Sequence, residues 1–199
     1  IFTSLLVGGC ASLLVSPAER VDLLATESGF FKVVTSSGLR TYLRRGSDTS
    51  RLTVYIEGDG AHWRHDRPPP DPTPLNPLAL KLAIADANSG NASVAYVARL
   101  CQYLNPEELA GCAPNLWTDA RFGTQAIVAT TELIDLLVRQ TQTSEVTLIG
   151  YSGGGALAAL VATQRHDFVC LVTVAAPLDT DAWDSIHKVT PLLNSLNPA

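Results

Sequence analysis

The residues of this chain best placed to do chemistry lie in Gly150-Tyr151-Ser152-Gly153-Gly154. A short apolar run, Val146, Leu148 and Ile149, precedes them, and Ala156 to Ala162 follows with no polar side chain before Thr163. The first run reads as a buried strand and the second as a small-residue helix, so the serine falls in a tight turn between them. A serine so placed sits at a helix N-terminus, where free N–H groups and the helix dipole favour developing negative charge. The chemistry is nucleophilic attack on a carbonyl, with the N–H of Gly153 directed at the oxyanion. The small flanking residues let the turn close and a carbonyl approach. Ser152 is a weak nucleophile unaided and needs a base to take its proton and an acid to orient that base. Glycine-rich turns also join strands to helices without any chemistry, so the strand-turn-helix context carries the assignment. A phosphate loop is excluded because no Gly-Lys-Ser/Thr follows, and a dinucleotide fingerprint because Ser152 stands in place of its second glycine.

A second glycine turn, Glu57-Gly58-Asp59-Gly60, follows the strand Arg51 to Ile56 and offers N–H groups at Gly58 and Asp59 for the same oxyanion. Its plain alternative is a simple reversal of the chain. His62, Trp63 and His65 come next, then a loop made by the prolines of 67–74. The two histidines are suited to the mouth of a site; with no third ligand in view they predict no metal centre. Trp63, Trp117 and Trp183 fall in loops, as a substrate rim or as packing beneath those loops.

The elements that must position these groups alternate. Residues 17–28 read as a linker or short helix, and 30–35 with 39–44 as a hairpin about Ser36-Ser37-Gly38. The next strand is 51–56, and a helix follows with Asn76 as cap and Pro77 in its first turn, carrying Leu78, Leu80, Leu82 and Ile84. A strand over 93–100 leads to a cysteine-bearing loop, 104–117. Asp119 is then placed to cap a long amphipathic helix over 120–140, with Ile127, Leu133, Ile134, Leu137 and Val138 inward. The Val146 strand, the serine turn, its helix to about Arg165 and a strand over 168–175 complete the series. Strands alternating with helices after an opening hairpin predict an α/β fold, a mainly parallel sheet with helices on both faces. The chain has 199 residues, 46% of them hydrophobic and 17% charged, which suits one domain with a sizeable core. A net charge of −5 without a basic run argues against nucleic acid as a partner. No apolar run reaches the roughly 18 residues of a membrane span.

From about Phe30 to Pro177 the chain resembles the α/β-hydrolase superfamily, and Gly150 to Gly154 is the specific part of the match. The resemblance implies a serine hydrolase, esterase- or lipase-like, acting on a small acyl substrate with no cofactor and no metal. It places the second half of an oxyanion hole after the third strand, at Gly58 and Asp59. The superfamily usually has His-Gly in that turn, and here Glu57 stands in the histidine position. It also implies a chain order of serine, acid, histidine. Asp179, after the strand 168–175, is the candidate acid, with capping as its ordinary alternative. Of the later histidines, His166 ends the helix that follows Ser152, and His187 lies only one strand beyond the turn. The base is therefore expected beyond Ala199, with the C-terminal strands of the sheet missing, so that 30–199 is an incomplete hydrolase domain. The chain begins at Ile1, contains no methionine and ends in a turn-like segment, in keeping with that expectation.

Residues 1–9 resemble the end of a bacterial lipoprotein signal peptide, and Val7-Gly8-Gly9-Cys10 loosely fits its lipobox. The resemblance implies cleavage before Cys10, lipid attachment to its thiol, and 10–29 as anchor and linker. It puts the protein in the bacterial cell envelope, held to a membrane surface and facing the periplasm or exterior. In that oxidising setting Cys101 and Cys112 are expected to pair across their polar loop, and Cys170 to be a buried small hydrophobe. The alternative to an enzyme is a lipid-anchored, non-catalytic binding module that keeps the same fold.

Overall fold

The computed structural model describes residues 15–35, 37–61 and 67–199, and within them builds one sheet between two helical layers. Cys10, His62, Trp63 and His65 lie outside the described residues. The strands are β1 (Phe31–Val33), β2 (Thr41–Arg44), β3 (Asp48–Ile56), β4 (Ala92–Val97), β5 (Glu145–Tyr151) and β6 (Phe168–Val174). Their order across the sheet is β1-β2-β4-β3-β5-β6. β1 and β2 form the expected antiparallel hairpin, and β2 pairs antiparallel with β4. The β4, β3, β5 and β6 pairings are all parallel, which makes the sheet mainly parallel.

The helices are α1 (Pro17–Glu27), α2 (Leu78–Ser89), α3 (Pro106–Ala110), α4 (Thr124–Thr141), α5 (Gly153–Ala162) and α6 (Thr180–His187). The two-residue period of the strands sorts the core into two layers. Leu52, Val54, Ile56, Val97, Val146 and Leu148 face α4 and α5. Tyr42, Tyr55, Val94 and Tyr96 face α1 and α2. Each fully buried Leu or Ile in these layers contributes about 1.5–3 kcal/mol of transfer free energy.

One open local expectation is decided and three are corrected. The region 17–28 is a helix, closed at its start by a reciprocal pair in which Ser16 caps Glu19 and Glu19 caps Ser16. Asp119 does not cap α4, which begins at Thr124 behind Gly123; instead Asp119 binds the side chains of Asn194 and Ser195. Asn76 does not cap α2 either, because its Oδ1 accepts from Lys81 Nζ at 2.6 Å. Cys170 is exposed, since β6 is an edge strand and Phe168, Val169, Val172 and Val174 are exposed with it. A strand pattern reveals the wish for burial, but what covers the strand is a tertiary matter.

Candidate active site

Ser152 stands between β5 and α5 with φ 51° and ψ −127°, backbone that a serine adopts only where its surroundings impose it. Three constraints do so. The Ser152 N–H donates to the Val174 carbonyl at 2.8 Å, which ties the turn to β6. The Gly155 N–H donates to the Ser152 carbonyl at 2.8 Å, which opens α5. The glycines let the helix start press against the end of β3. A Cβ on Gly154 would lie 2.4 Å from the Glu57 carbonyl oxygen, and one on Gly153 would lie 2.1 Å from Asp59 Oδ1. Ser152, Gly153 and the Glu57–Gly60 turn therefore meet in space, as the sequence reading required.

The second turn is held from its buried side. The Glu57 side chain is 1% exposed, and its Oε1 accepts from the Gly58 N–H at 3.0 Å and from the Ala79 N–H at 3.4 Å. Its Oε2 accepts from the Tyr96 hydroxyl at 3.2 Å. Glu57 thus caps α2 across the fold, where Pro77 and Asn76 offer no side-chain cap, and places a carboxylate at the positive end of that helix. Burial raises its pKa above the ordinary carboxylate value, against the opposing pull of these hydrogen bonds.

One consequence concerns the oxyanion donors. The Gly58 N–H is occupied by Glu57, whereas the Asp59 and Gly153 N–H groups meet no acceptor among the described residues. Of the three N–H groups expected to face an oxyanion, that of Gly58 is thus engaged within the turn.

The Asp59 carboxylate is itself anchored. Its Oδ1 accepts from Arg99 Nη1 at 2.7 Å, and its Oδ2 forms an ion pair with Arg121 Nε at 3.2 Å that lacks hydrogen-bond alignment. Arg99 Nη2 also donates to the Arg121 carbonyl. Both guanidinium groups stack on Phe122, at 5.1 and 5.0 Å from its ring centre. Burial lowers the Arg99 pKa, and the Asp59 charge opposes that shift. Neither arginine was singled out from the sequence. A charged residue closing a wholly apolar strand, Ala95-Tyr96-Val97-Ala98-Arg99, was the available signal for one of them; Arg121 gave none.

A cleft of about 520 Å³ opens over Ser152, with Gly58, Asp59, Gly60 and Arg121 on one side and Pro74, Leu75, Leu78, Pro177 and Trp183 supplying apolar wall. This is the form of a small-molecule site, mostly apolar with a few placed polar groups. Trp183 is thus a rim residue, whereas Trp117 is buried.

Asp179 caps α6: its Oδ1 accepts from the Ala182 N–H at 3.0 Å and from Asn197 Nδ2 at 3.1 Å. Those two bonds, the Ala182 N–H first, lower its pKa. No histidine among the described residues bonds to it. The His187 ring lies against Trp183 at 4.5 Å between centres, one residue removed from the cleft wall. Cys101 and Cys112 form the expected disulfide. No helix among the described residues is long and apolar enough to cross a membrane.

No protein-family model and no curated protein matches the chain by sequence. Solved structures do match it by shape. The structure of DcsB in complex with its substrate analogue superposes with a TM-score of 0.50 at 14% identity, over 80% of this chain and 51% of that one. An esterase from Pyrococcus furiosus gives 0.48 at 11% identity, over 81% and 56% respectively. Proline iminopeptidase from Mycobacterium smegmatis gives 0.47 at 14% identity, over 78% and 46%. The chain spans about half the length of the solved structures it matches. Its fold is that of the α/β-hydrolases.

Proposed function

We propose that the chain carries the nucleophile and the oxyanion donors of a serine hydrolase that cleaves an ester or related acyl bond. The observation that supports this best is the strained Ser152 backbone, set at the start of α5, against the Asp59 turn and beneath an apolar-walled cleft. Ser152 Oγ attacks the acyl carbon, the carbonyl oxygen becomes an oxyanion received by the Gly153 and Asp59 N–H groups, and the alcohol departs with a proton from the base. Water then attacks the acyl-serine and regenerates the hydroxyl. In this reading a histidine serves as the base, and among the described residues neither His166 nor His187 contacts Ser152. Asp179 is carried as the acid by its position after β6, although its visible work is capping. The apolar wall suits a substrate with a hydrocarbon acyl or alcohol part. The reading also carries the lipid anchor at Cys10 and an envelope location, tested by metabolic labelling with a fatty-acid probe that a Cys10→Ala protein should not take up.

The test of the chemistry is stoichiometric labelling of the full-length protein by a fluorophosphonate, with the adduct mapped by mass spectrometry. Labelling at Ser152, lost in Ser152→Ala together with esterase turnover by about 10³-fold or more, is the expected result. Undiminished turnover in Ser152→Ala would sink the assignment.

A further inference from the structure

The oxyanion turn is gripped by a short segment that the reaction scheme above does not use. After β4 the chain runs through Arg99, Cys101, Gln102 and Tyr103, and two of these non-glycine residues are left-handed, Cys101 at φ 67° and Tyr103 at φ 57°. Such backbone persists where the surroundings over-determine it. Here the Cys101–Cys112 disulfide holds one end. At the other, the Tyr103 N–H donates to Thr73 Oγ1 at 2.8 Å, and Arg40 donates to the Tyr103 carbonyl. Between those fixed points Gln102 is 1% exposed. Its Oε1 accepts from the Arg99 N–H at 3.0 Å, and its Nε2 donates to the Gly58 carbonyl oxygen at 2.9 Å.

That last bond bears on catalysis through covalent geometry. The Gly58 carbonyl and the Asp59 N–H belong to one planar peptide unit, and in a trans peptide they point in opposite directions. Whatever fixes the carbonyl fixes the N–H. Gln102, itself buried, holds the carbonyl and so sends the Asp59 N–H the opposite way. The bond also polarises the peptide, which strengthens its N–H as a donor. Arg99, fixed by its own N–H to Gln102, holds the Asp59 carboxylate and prevents the turn from rotating about its other end.

We infer that Gln102 is the positioning residue of the oxyanion hole, aiming the Asp59 N–H through the Gly58–Asp59 peptide with Arg99 as its brace. This rests on the hydrolase reading, and the test separates the two. Full-length wild-type, Gln102→Met and Gln102→Glu proteins are compared on 4-nitrophenyl butyrate, with phenylboronic acid as a tetrahedral mimic and with melting followed in parallel. Met keeps the length but leaves the Gly58 carbonyl unpaired. Glu keeps Oε1 for the Arg99 N–H but offers Gly58 an acceptor instead of a donor.

The expected result is a fall in kcat of about 10- to 100-fold with KM changed by no more than about 2-fold, and a matching rise in the boronate inhibition constant. If Gln102→Met does not fold, Gln102→Glu carries the same readings. Unchanged kcat and boronate inhibition in a folded variant would overturn the positioning role while leaving the hydrolase reading intact. A rise in KM at constant kcat would overturn it equally, because oxyanion stabilisation acts on the transition state. Failure of the wild-type protein itself to label at Ser152 or to turn over ester would overturn the hydrolase reading and this role with it.

Discussion

The two turns that meet at the cleft are built on opposite plans. The Ser152 turn comes from one contiguous stretch: a strand that ends, glycines that permit close approach, and a helix that begins. Its geometry is fixed largely by its own residues and by the neighbouring strand through the Val174 carbonyl. The Glu57–Gly60 turn is fixed from far along the chain, by Ala79, Tyr96, Arg99, Gln102 and Arg121. In the proposed chemistry a nucleophile must be held whether or not substrate is present, and the close packing of Gly153 and Gly154 against the end of β3 does that. An oxyanion donor must hold a direction to within a fraction of an ångström, and only groups packed around it in three dimensions can impose that.

The comparison can be broken from its local side first. Gly154→Ala would put a methyl group 2.4 Å from the carbonyl oxygens of Ile56 and Glu57, backbone that cannot swing away. We expect a loss of about 3 kcal/mol or more of stability, measured by chemical denaturation, together with loss of fluorophosphonate labelling. A fully stable, labelled variant would show that the turn is looser than its geometry implies.

Breaking the remote side should cost less stability and still reach the site. Cys101→Ser with Cys112→Ser opens the loop that ends at Gln102, and the chain-entropy model gives about 2–3 kcal/mol for its closure. The melting point should fall, and ester turnover should fall at temperatures where the protein is still folded. Turnover untouched below the transition would show that Gln102 is held without the disulfide.

Glu57 sharpens the contrast by pH. Its folded pKa is raised by burial, so the native state holds the proton more tightly than the unfolded chain. Stability from this residue is complete below the ordinary carboxylate value and is lost as pH rises through the raised one. The stability difference between wild type and Glu57→Gln, followed by denaturant from about pH 4 to 8, should therefore slope against the wild type as pH increases. A flat difference would mean that the hydrogen bonds to the carboxylate cancel the effect of burial and leave its folded pKa at the unfolded value.

The smallest effect is expected at Asp179. As a cap of α6 its replacement by Asn, itself a good capping residue, should lower the melting point slightly and leave kcat within about 2-fold. A fall of about 10³-fold or more would instead establish it as the acid of a triad.

Much of the frame was legible because it is periodic or steric. The alternation of Leu52, Val54 and Ile56 gave a strand facing one layer, and the glycines around Ser152 gave the turn. The loop between Cys101 and Cys112 announced a disulfide once an oxidising setting was supposed. What was misread depends on partners distant in sequence. Asn76 and Asp119 have the right type to cap the helices behind them, yet each is drawn elsewhere, to Lys81 and to 194–195. Cys170 sits in a run that looks buried, and no helix or strand covers it among the described residues.

The sequence by itself therefore determined the strand-turn-helix setting of Ser152, because hydrophobic periodicity and residue size are written in it. Only the tertiary structure decided which N–H groups of the second turn are free. Glu57 takes the one on Gly58, while Gln102 holds the Gly58 carbonyl and Arg99 the Asp59 carboxylate. Hydrogen bonds are directional and join whichever groups the fold brings within about 3 Å, so no spacing along the chain records them.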